Sequence, residues 1–146
     1  ELRELDLAYA PPYSSAKDPV NMAGFMIDNI RQALIKQWHL EDMDRVSKDG
    51  SATLLDVRTA EEYSGGHVSG FCNIPVDELR ERLNEIKRGK PVYVICQSGL
   101  RSYIACRVLA GYGYETYNFA GGFRYYDAVT NDRRLTESAS ACGMDQ

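Results

Sequence analysis

The stretch Pro91-Val92-Tyr93-Val94-Ile95-Cys96-Gln97-Ser98-Gly99-Leu100-Arg101-Ser102 decides how the rest of the chain is read. Its first half is a short apolar run rich in β-branched residues, the pattern of a parallel strand buried on both faces. Its second half is a small polar loop, after which Ile104, Ala105, Val108 and Leu109 recur at the spacing of one helix face. A strand that ends in a cysteine and turns into a helix sets that cysteine before free backbone N–H groups at the positive end of a helix dipole. Such a field favours a negatively charged sulfur. A cysteine there can equally be a small core residue, and position alone leaves both readings standing. The loop separates them. Gly99 permits a tight turn, Ser98 and Ser102 suit a helix entry, and Arg101 supplies a fixed cation five residues from the sulfur. An inert core cysteine needs none of these.

Outward from this segment the elements alternate. Ile35–Trp38 is expected as a first strand, followed by a short helix over Glu41–Lys48 and a turn at Asp49-Gly50. Thr53–Val57 is the second strand, Gly65-Gly66 a loop, and Phe71–Ile74 a short third strand. Pro75 opens an expected helix whose apolar face is Val76, Leu79, Leu83 and Ile86. Val92–Ile95 is the fourth strand and Glu115–Phe119 the fifth, and Gly121-Gly122 leads into a closing helix near Tyr125–Val129. The alternation implies an α/β fold, with about five strands in a mostly parallel sheet and helices on both faces.

The loop Cys96–Ser102 resembles the active-site loop of rhodanese-type sulfurtransferases. Three further segments carry the same likeness in the same order: Leu54-Leu55-Asp56-Val57-Arg58 with Glu61-Glu62-Tyr63, Gly66-His67-Val68-Ser69-Gly70 with Asn73-Ile74-Pro75, and Gly121-Gly122-Phe123. The resemblance implies a rhodanese-like fold over residues 34–131. It also implies that Cys96 takes a sulfane sulfur from a small donor as a persulfide and passes it to a thiol acceptor. Gln97, Ser98, Gly99, Leu100, Arg101 and Ser102 would then form the loop that binds the transferred sulfur. Arg101 can add charge to that loop or brace it against Glu61 or Glu62. Asp56 and Arg58 are expected as a buried supporting pair, with Glu62 as a further support. Two rivals stand beside this reading. Phosphatases on a similar scaffold use a cysteine and a following arginine, but with one residue more between them than the four here. The smaller ring suits a single sulfur better than a tetrahedral oxyanion. A non-catalytic docking module is the other rival, and its usual sign is loss of the loop cysteine.

Composition narrows the partners. With 44% hydrophobic and 26% charged residues in 146, the chain has the make-up of a globular domain. A net charge of −4 argues against nucleic acid or a membrane surface as partner. No apolar run approaches the ~20 residues of a membrane span, and no leader pattern is present, so the expected location is cytoplasmic. Cys72 and Cys106 are expected in the core. Cys142 falls in the small-residue stretch Ser138–Gly143, and residues 132–146 are expected as a flexible tail. No CxxC or Cys/His zinc spacing occurs, so no metal is expected. His67 is expected to hydrogen-bond within its own loop.

Residues 1–33 stand apart. The string from Asp6 to Gly24, with Pro11-Pro12-Tyr13 and Asn21-Met22-Ala23 at its heart, resembles the end of the dimerisation domain of flavin- and NADH-dependent disulfide reductases, nearest to the coenzyme A-disulfide reductase and NADH oxidase branch. That resemblance implies a C-terminal piece of a flavoprotein–rhodanese fusion, with the flavoprotein reductase domain upstream. FAD, NADH and coenzyme A belong to the parent protein and no cofactor to this piece, which lacks a GxGxxG fingerprint. It further implies that Tyr9 or Tyr13 reaches a partner subunit's active site. Met22, Ala23, Phe25, Met26, Ile27, Ile30, Ala33 and Leu34 are expected on a helix apolar over much of its circumference, which makes residues 1–33 a candidate dimerisation segment.

Overall fold

A computed structural model describes residues 2–5, 18–48 and 50–140. The string Asp6–Lys17 with Tyr9 and Tyr13, the turn residue Asp49, and Cys142 lie outside the described residues. The chain divides into two compact units, Glu1–Lys36 and Gln37–Gln146.

In the first unit, α1 spans Pro19–Arg31. Asp18 caps it by accepting a hydrogen bond from the Val20 amide at 2.9 Å, and Pro19 occupies the first turn, where a missing N–H costs nothing. Asn21 Nδ2 donates to the carbonyls of Leu2 and Leu5 at 3.2 and 3.1 Å. Met22, Met26, Ile27 and Ile30 are exposed. The helix stops short of Ala33 and Leu34 because Ala33 takes a left-handed φ of 53°. The amides of Gln32, Ala33 and Leu34 then fold back onto the carbonyls of Asp28, Ile30 and Asn29.

The sheet is built from β1 (Lys36–Trp38), β2 (Thr53–Asp56), β3 (Cys72–Asn73), β4 (Val92–Ile95) and β5 (Thr116–Phe119), in the order β1-β5-β4-β2-β3. The pairs β2–β3, β2–β4 and β4–β5 are parallel, and the α/β fold with a five-stranded parallel sheet agrees with the sequence reading. β4 is central and buried at all four positions, as its unbroken apolar run requires. Trp38, 2% exposed, anchors the packing, with Phe119 and Tyr93 rings at 4.7 and 5.3 Å and Phe71 at 6.3 Å. The helices α2 (Met43–Lys48), α3 (Ala60–Ser64), α4 (Leu100–Gly111) and α5 (Gly122–Ser140) connect or follow these strands. α5 runs well past the Tyr125–Val129 expected from the sequence and takes in residues 132–140 of the expected flexible tail.

Three expectations are corrected. The segment Val76–Ile86 is a ladder of tight turns ending in a 3-10 turn at Leu83–Glu85, not an α-helix. The Val76 amide is tied to the Val57 carbonyl, and most later amides reach only three residues back. The apolar spacing still marks the inward side, since Leu79 and Ile86 are buried. In α4 the buried face is Ser102, Ala105, Cys106 and Leu109, while Ile104 is 44% exposed. The loop before α4 sets its rotation by turning Ser102 toward Cys96. Cys72 is exposed, because on a two-residue edge strand the flanking Phe71 and Ile74 take the buried places.

The turn ladder therefore behaves as core. Leu79→Ala should cost about 2–5 kcal/mol of unfolding free energy, and Ile104→Ala on the outer side of α4 no more than about 0.5 kcal/mol. Urea titrations of both variants check the assignment.

Candidate active site

Cys96 directly follows β4, and Asp56 ends β2 beside it, with Asp56 in register with Ile95. From β2 the chain runs outward to β3, and from β4 it runs outward to β5 on the opposite side. The carboxyl ends of β2 and β4 therefore flank the crevice where the strand order diverges, the place where open parallel sheets hold ligands.

Cys96 Sγ accepts two hydrogen bonds, from the Gly99 amide at 3.1 Å and from Ser102 Oγ at 3.2 Å. Gly99 has φ of 112°, which side-chain-bearing residues rarely adopt, and this conformation turns its N–H back onto the sulfur. Leu100, Arg101 and Ser102 open α4, so their amides have no carbonyl one helical turn earlier to bind. Cys96 and Ser102 are buried, while Ser98 and Leu100 form an exposed rim. Donors converging on a buried sulfur stabilise negative charge there, and the free helix amides extend that field one atom further out.

The back of the loop is clamped by α5. The amides of Phe123 and Arg124 donate to the carbonyls of Cys96 and Gln97 at 2.8 and 3.2 Å. Gly122, at φ of 68°, lies so close that a Cβ would sit 2.5 Å from the Gln97 oxygen and 2.6 Å from the Ser98 nitrogen. Only glycine fits. Gln97 also holds the loop sideways, its Oε1 accepting from Arg58 Nη1 at 3.4 Å.

Arg58 and Asp56 are 1% and 0% exposed. Arg58 Nε and Nη2 grip the carboxylate at 2.7–3.1 Å. Nη2 also donates to the Gly66 carbonyl at 2.8 Å, and the guanidinium lies 3.9 Å over the Phe123 ring. Arg101 binds Glu62 through two bonds of 2.6 and 2.7 Å. That fork holds the Glu62 carboxyl down to about 2, chiefly through the Arg101 hydrogen bonds. Glu62 also closes a capping box on α3, its Oε2 accepting from the Thr59 amide and its own amide donating to Thr59 Oγ1.

Burial pushes the Cys106 thiol up to about 12, so it is inert at neutral pH. His67 stacks on Tyr63 at 4.0 Å, with Nδ1 3.1 Å from the Tyr63 carbonyl. Among the described residues no cluster of His, Cys, Asp or Glu could hold a metal ion, and no helix is long and apolar enough to cross a membrane. Two contributors escape the sequence reading. Thr59 was legible in the Thr-x-x-Glu spacing of a capping box. Asn118, whose Nδ2 faces the Gly99 carbonyl at 3.4 Å, was signalled only by a lone amide in the run Tyr117-Asn118-Phe119.

The family description "Rhodanese-like domain" matches residues 39–128. YqhL of Bacillus subtilis is 47% identical over 74 residues, half of this chain and 59% of that protein. The thiosulfate sulfurtransferase PspE of Escherichia coli is 38% identical over 72 residues, 48% of this chain and 69% of PspE. Among solved structures, reduced CoADR-RHD of Bacillus anthracis is 45% identical with a TM-score of 0.85, covering 90% of this chain and 24% of that one. The NAD-dependent persulfide reductase of A. fulgidus is 38% identical with a TM-score of 0.72, covering 86% and 22%. The chain thus spans little more than half of YqhL and about a quarter of the two solved chains.

Two outcomes follow from the clamps. Gly122→Ala should lower stability by more than about 2 kcal/mol, from left-handed strain plus the clash with the Gln97–Ser98 peptide, measured by denaturant unfolding. Glu62 keeps its charge in the folded protein down to about 2, against an ordinary value of 4.5. The unfolded chain therefore takes up this proton first, so the pair's stabilisation is complete above pH 4.5 and disappears as pH falls toward 2. The stability gap between the unsubstituted chain and Glu62→Gln should narrow over that interval in pH-dependent melts.

Proposed function

The chain belongs to the rhodanese-like domain family, and from that membership we propose that it carries sulfane sulfur as a persulfide on Cys96 and delivers it to a thiol acceptor. The observation that carries this reading is the pair of donors converging on Cys96 Sγ at the head of a helix.

In the first half-reaction the Cys96 thiolate attacks the outer sulfur of the donor. A new S–S bond forms at Sγ, and the donor's S–S bond breaks with its electron pair leaving on the departing group, which is sulfite when thiosulfate is the donor. In the second, an acceptor thiolate attacks the outer sulfur of the Cys96 persulfide. An acceptor persulfide forms and the Cys96 thiolate is regenerated. Neither half needs a general base once the thiolate exists. The outer sulfur carries the negative charge between the two, and the first amides of α4 are the donors nearest to it.

The parent protein is read as a fusion in which this domain delivers sulfur to an NADH- and FAD-dependent reductase of coenzyme A persulfides, polysulfides or disulfides. The likeness to CoADR-RHD and to the persulfide reductase supports this, because it extends over 90% and 86% of the chain and so beyond residues 39–128. FAD, NADH and coenzyme A would be held by the upstream domain. Residues 1–33 would then be the end of its dimerisation domain and 34–131 the sulfurtransferase.

Sulfur transfer from thiosulfate to a small thiol tests the proposal. Cys96→Ser should abolish turnover, while Cys72→Ala and Cys106→Ala keep most of it. An aryl phosphate should not be hydrolysed. Turnover that survives Cys96→Ser, or phosphate release that depends on Cys96, would overturn the assignment. Removing residues 1–33 should leave sulfur transfer intact and lower the tendency to self-associate in light scattering.

A further inference from the structure

Ser102 carries one hydroxyl proton and faces two acceptors, Cys96 Sγ at 3.2 Å and the Gly99 carbonyl at 3.1 Å. It can serve only one at a time. The second pull is strong, since a helical serine three residues on from a carbonyl readily bonds back to it. A Ser102 proton spent on Gly99 is lost to the sulfur.

Asn118 bears on that choice. It lies on β5 in register with Val94, 7% exposed, and its Nδ2 reaches the same Gly99 carbonyl at 3.4 Å. Its Oδ1 is buried without a hydrogen-bond partner among the described residues. A strand flanked by Tyr117 and Phe119 would be better served by an apolar residue of equal volume than by a buried amide with an orphaned oxygen. The amide therefore brings something that packing does not. Its one partner on the active-site loop is the carbonyl that competes with Cys96 for the Ser102 proton.

We propose that Asn118 is a positioning residue for sulfur transfer: by donating to the Gly99 carbonyl it releases the single Ser102 proton to Cys96 Sγ. Asn118 touches neither the sulfur nor the donor and acts through Ser102. The Gly99 amide keeps its own bond to Sγ in either state. This deepens the reading of Cys96 as the sulfur carrier and rests on it for its meaning in turnover.

A double-mutant cycle tests it, read as the single-turnover rate of sulfur uptake by Cys96 from thiosulfate and as the site-resolved rate of Cys96 alkylation by iodoacetamide. Asn118→Leu keeps the volume and removes the donor, and should slow both rates about tenfold, the scale of one hydrogen bond to a charged group. Ser102→Ala should slow them at least as much. In the Ser102→Ala background, Asn118→Leu should cost less than a further twofold, because the proton it was freeing is gone. Half-saturating thiosulfate should stay unchanged in Asn118→Leu, since Asn118 lies on β5 outside the loop that binds the transferred sulfur. Asn118→Leu slowing both rates equally in the two backgrounds would overturn the proposal, since the amide would then act by packing or through the Gly99 N–H. So would an Asn118→Leu variant with parent rates. Should Asn118→Leu fold poorly, Asn118→Asp, which keeps shape but offers only acceptors to the carbonyl, must show the same coupling. A protein whose alkylation rates are coupled in this way but which takes up no sulfur would refute the proposed function and leave the Asn118–Ser102 relation standing.

Discussion

A guanidinium cation sealed from solvent constrains everything around it. Arg58 is 1% exposed, and an uncompensated charge in that position would cost several kcal/mol. Its donors must therefore be met, and each partner fixes a different piece of chain: Asp56 at the end of β2, the Gly66 carbonyl in the following loop, Gln97 in the cysteine loop, and the Phe123 ring at the start of α5. Asn73 completes the arrangement by donating to the carbonyls of both Asp56 and Arg58 from β3. Three segments leaving the sheet, after β2, β4 and β5, converge on one ion pair. A buried pair of this kind adds little net stability over a well-packed apolar pair. What it supplies here is position.

With those connections fixed, the cysteine loop has little freedom left. α5 presses Gly122 against its Gln97–Ser98 peptide, and the Phe123 amide takes the Cys96 carbonyl. On the outer side the Arg101–Glu62 fork ties the first turn of α4 to α3. The side-chain cation nearest in sequence to the sulfur thus braces the loop, and the hydrogen bonds that Sγ accepts come from a backbone amide and a hydroxyl. Such preorganised dipoles need no rearrangement for charge to move outward by one atom, as the proposed sulfur transfer requires. Four residues separate Cys96 from Arg101, and the proposed sulfur transfer rests on this short loop.

Much of this was legible in the sequence, for identifiable reasons. The central strand announced itself because burial on both faces demands an unbroken apolar run, and Cys96 stood out because Gly99, Arg101 and Ser102 followed it. The Asp56–Arg58 pair was readable as a buried brace because two opposite charges close an apolar strand. The failures each have a physical cause. Periodicity reports which side of a segment is apolar and not which hydrogen bonds its backbone makes, so Val76–Ile86 passed for a helix while folding as turns. The rotation of α4 was misread through Ile104 because the loop before it, and not apolarity, points Ser102 inward. Cys72 was placed in the core on residue type alone, and an edge strand of two residues has too little cover to bury every side chain. Asn118 was missed because its partner lies on another element 19 residues earlier in the chain.

The central claim is that the loop exists to hold one sulfur atom on Cys96. Peptide-resolved mass spectrometry of the protein after incubation with a sulfane-sulfur donor addresses it most directly. The account predicts a gain of one sulfur atom, confined to the peptide that contains Cys96 and removed again by a small thiol. A gain on the exposed Cys72 with none on Cys96, or no gain at all, would contradict it.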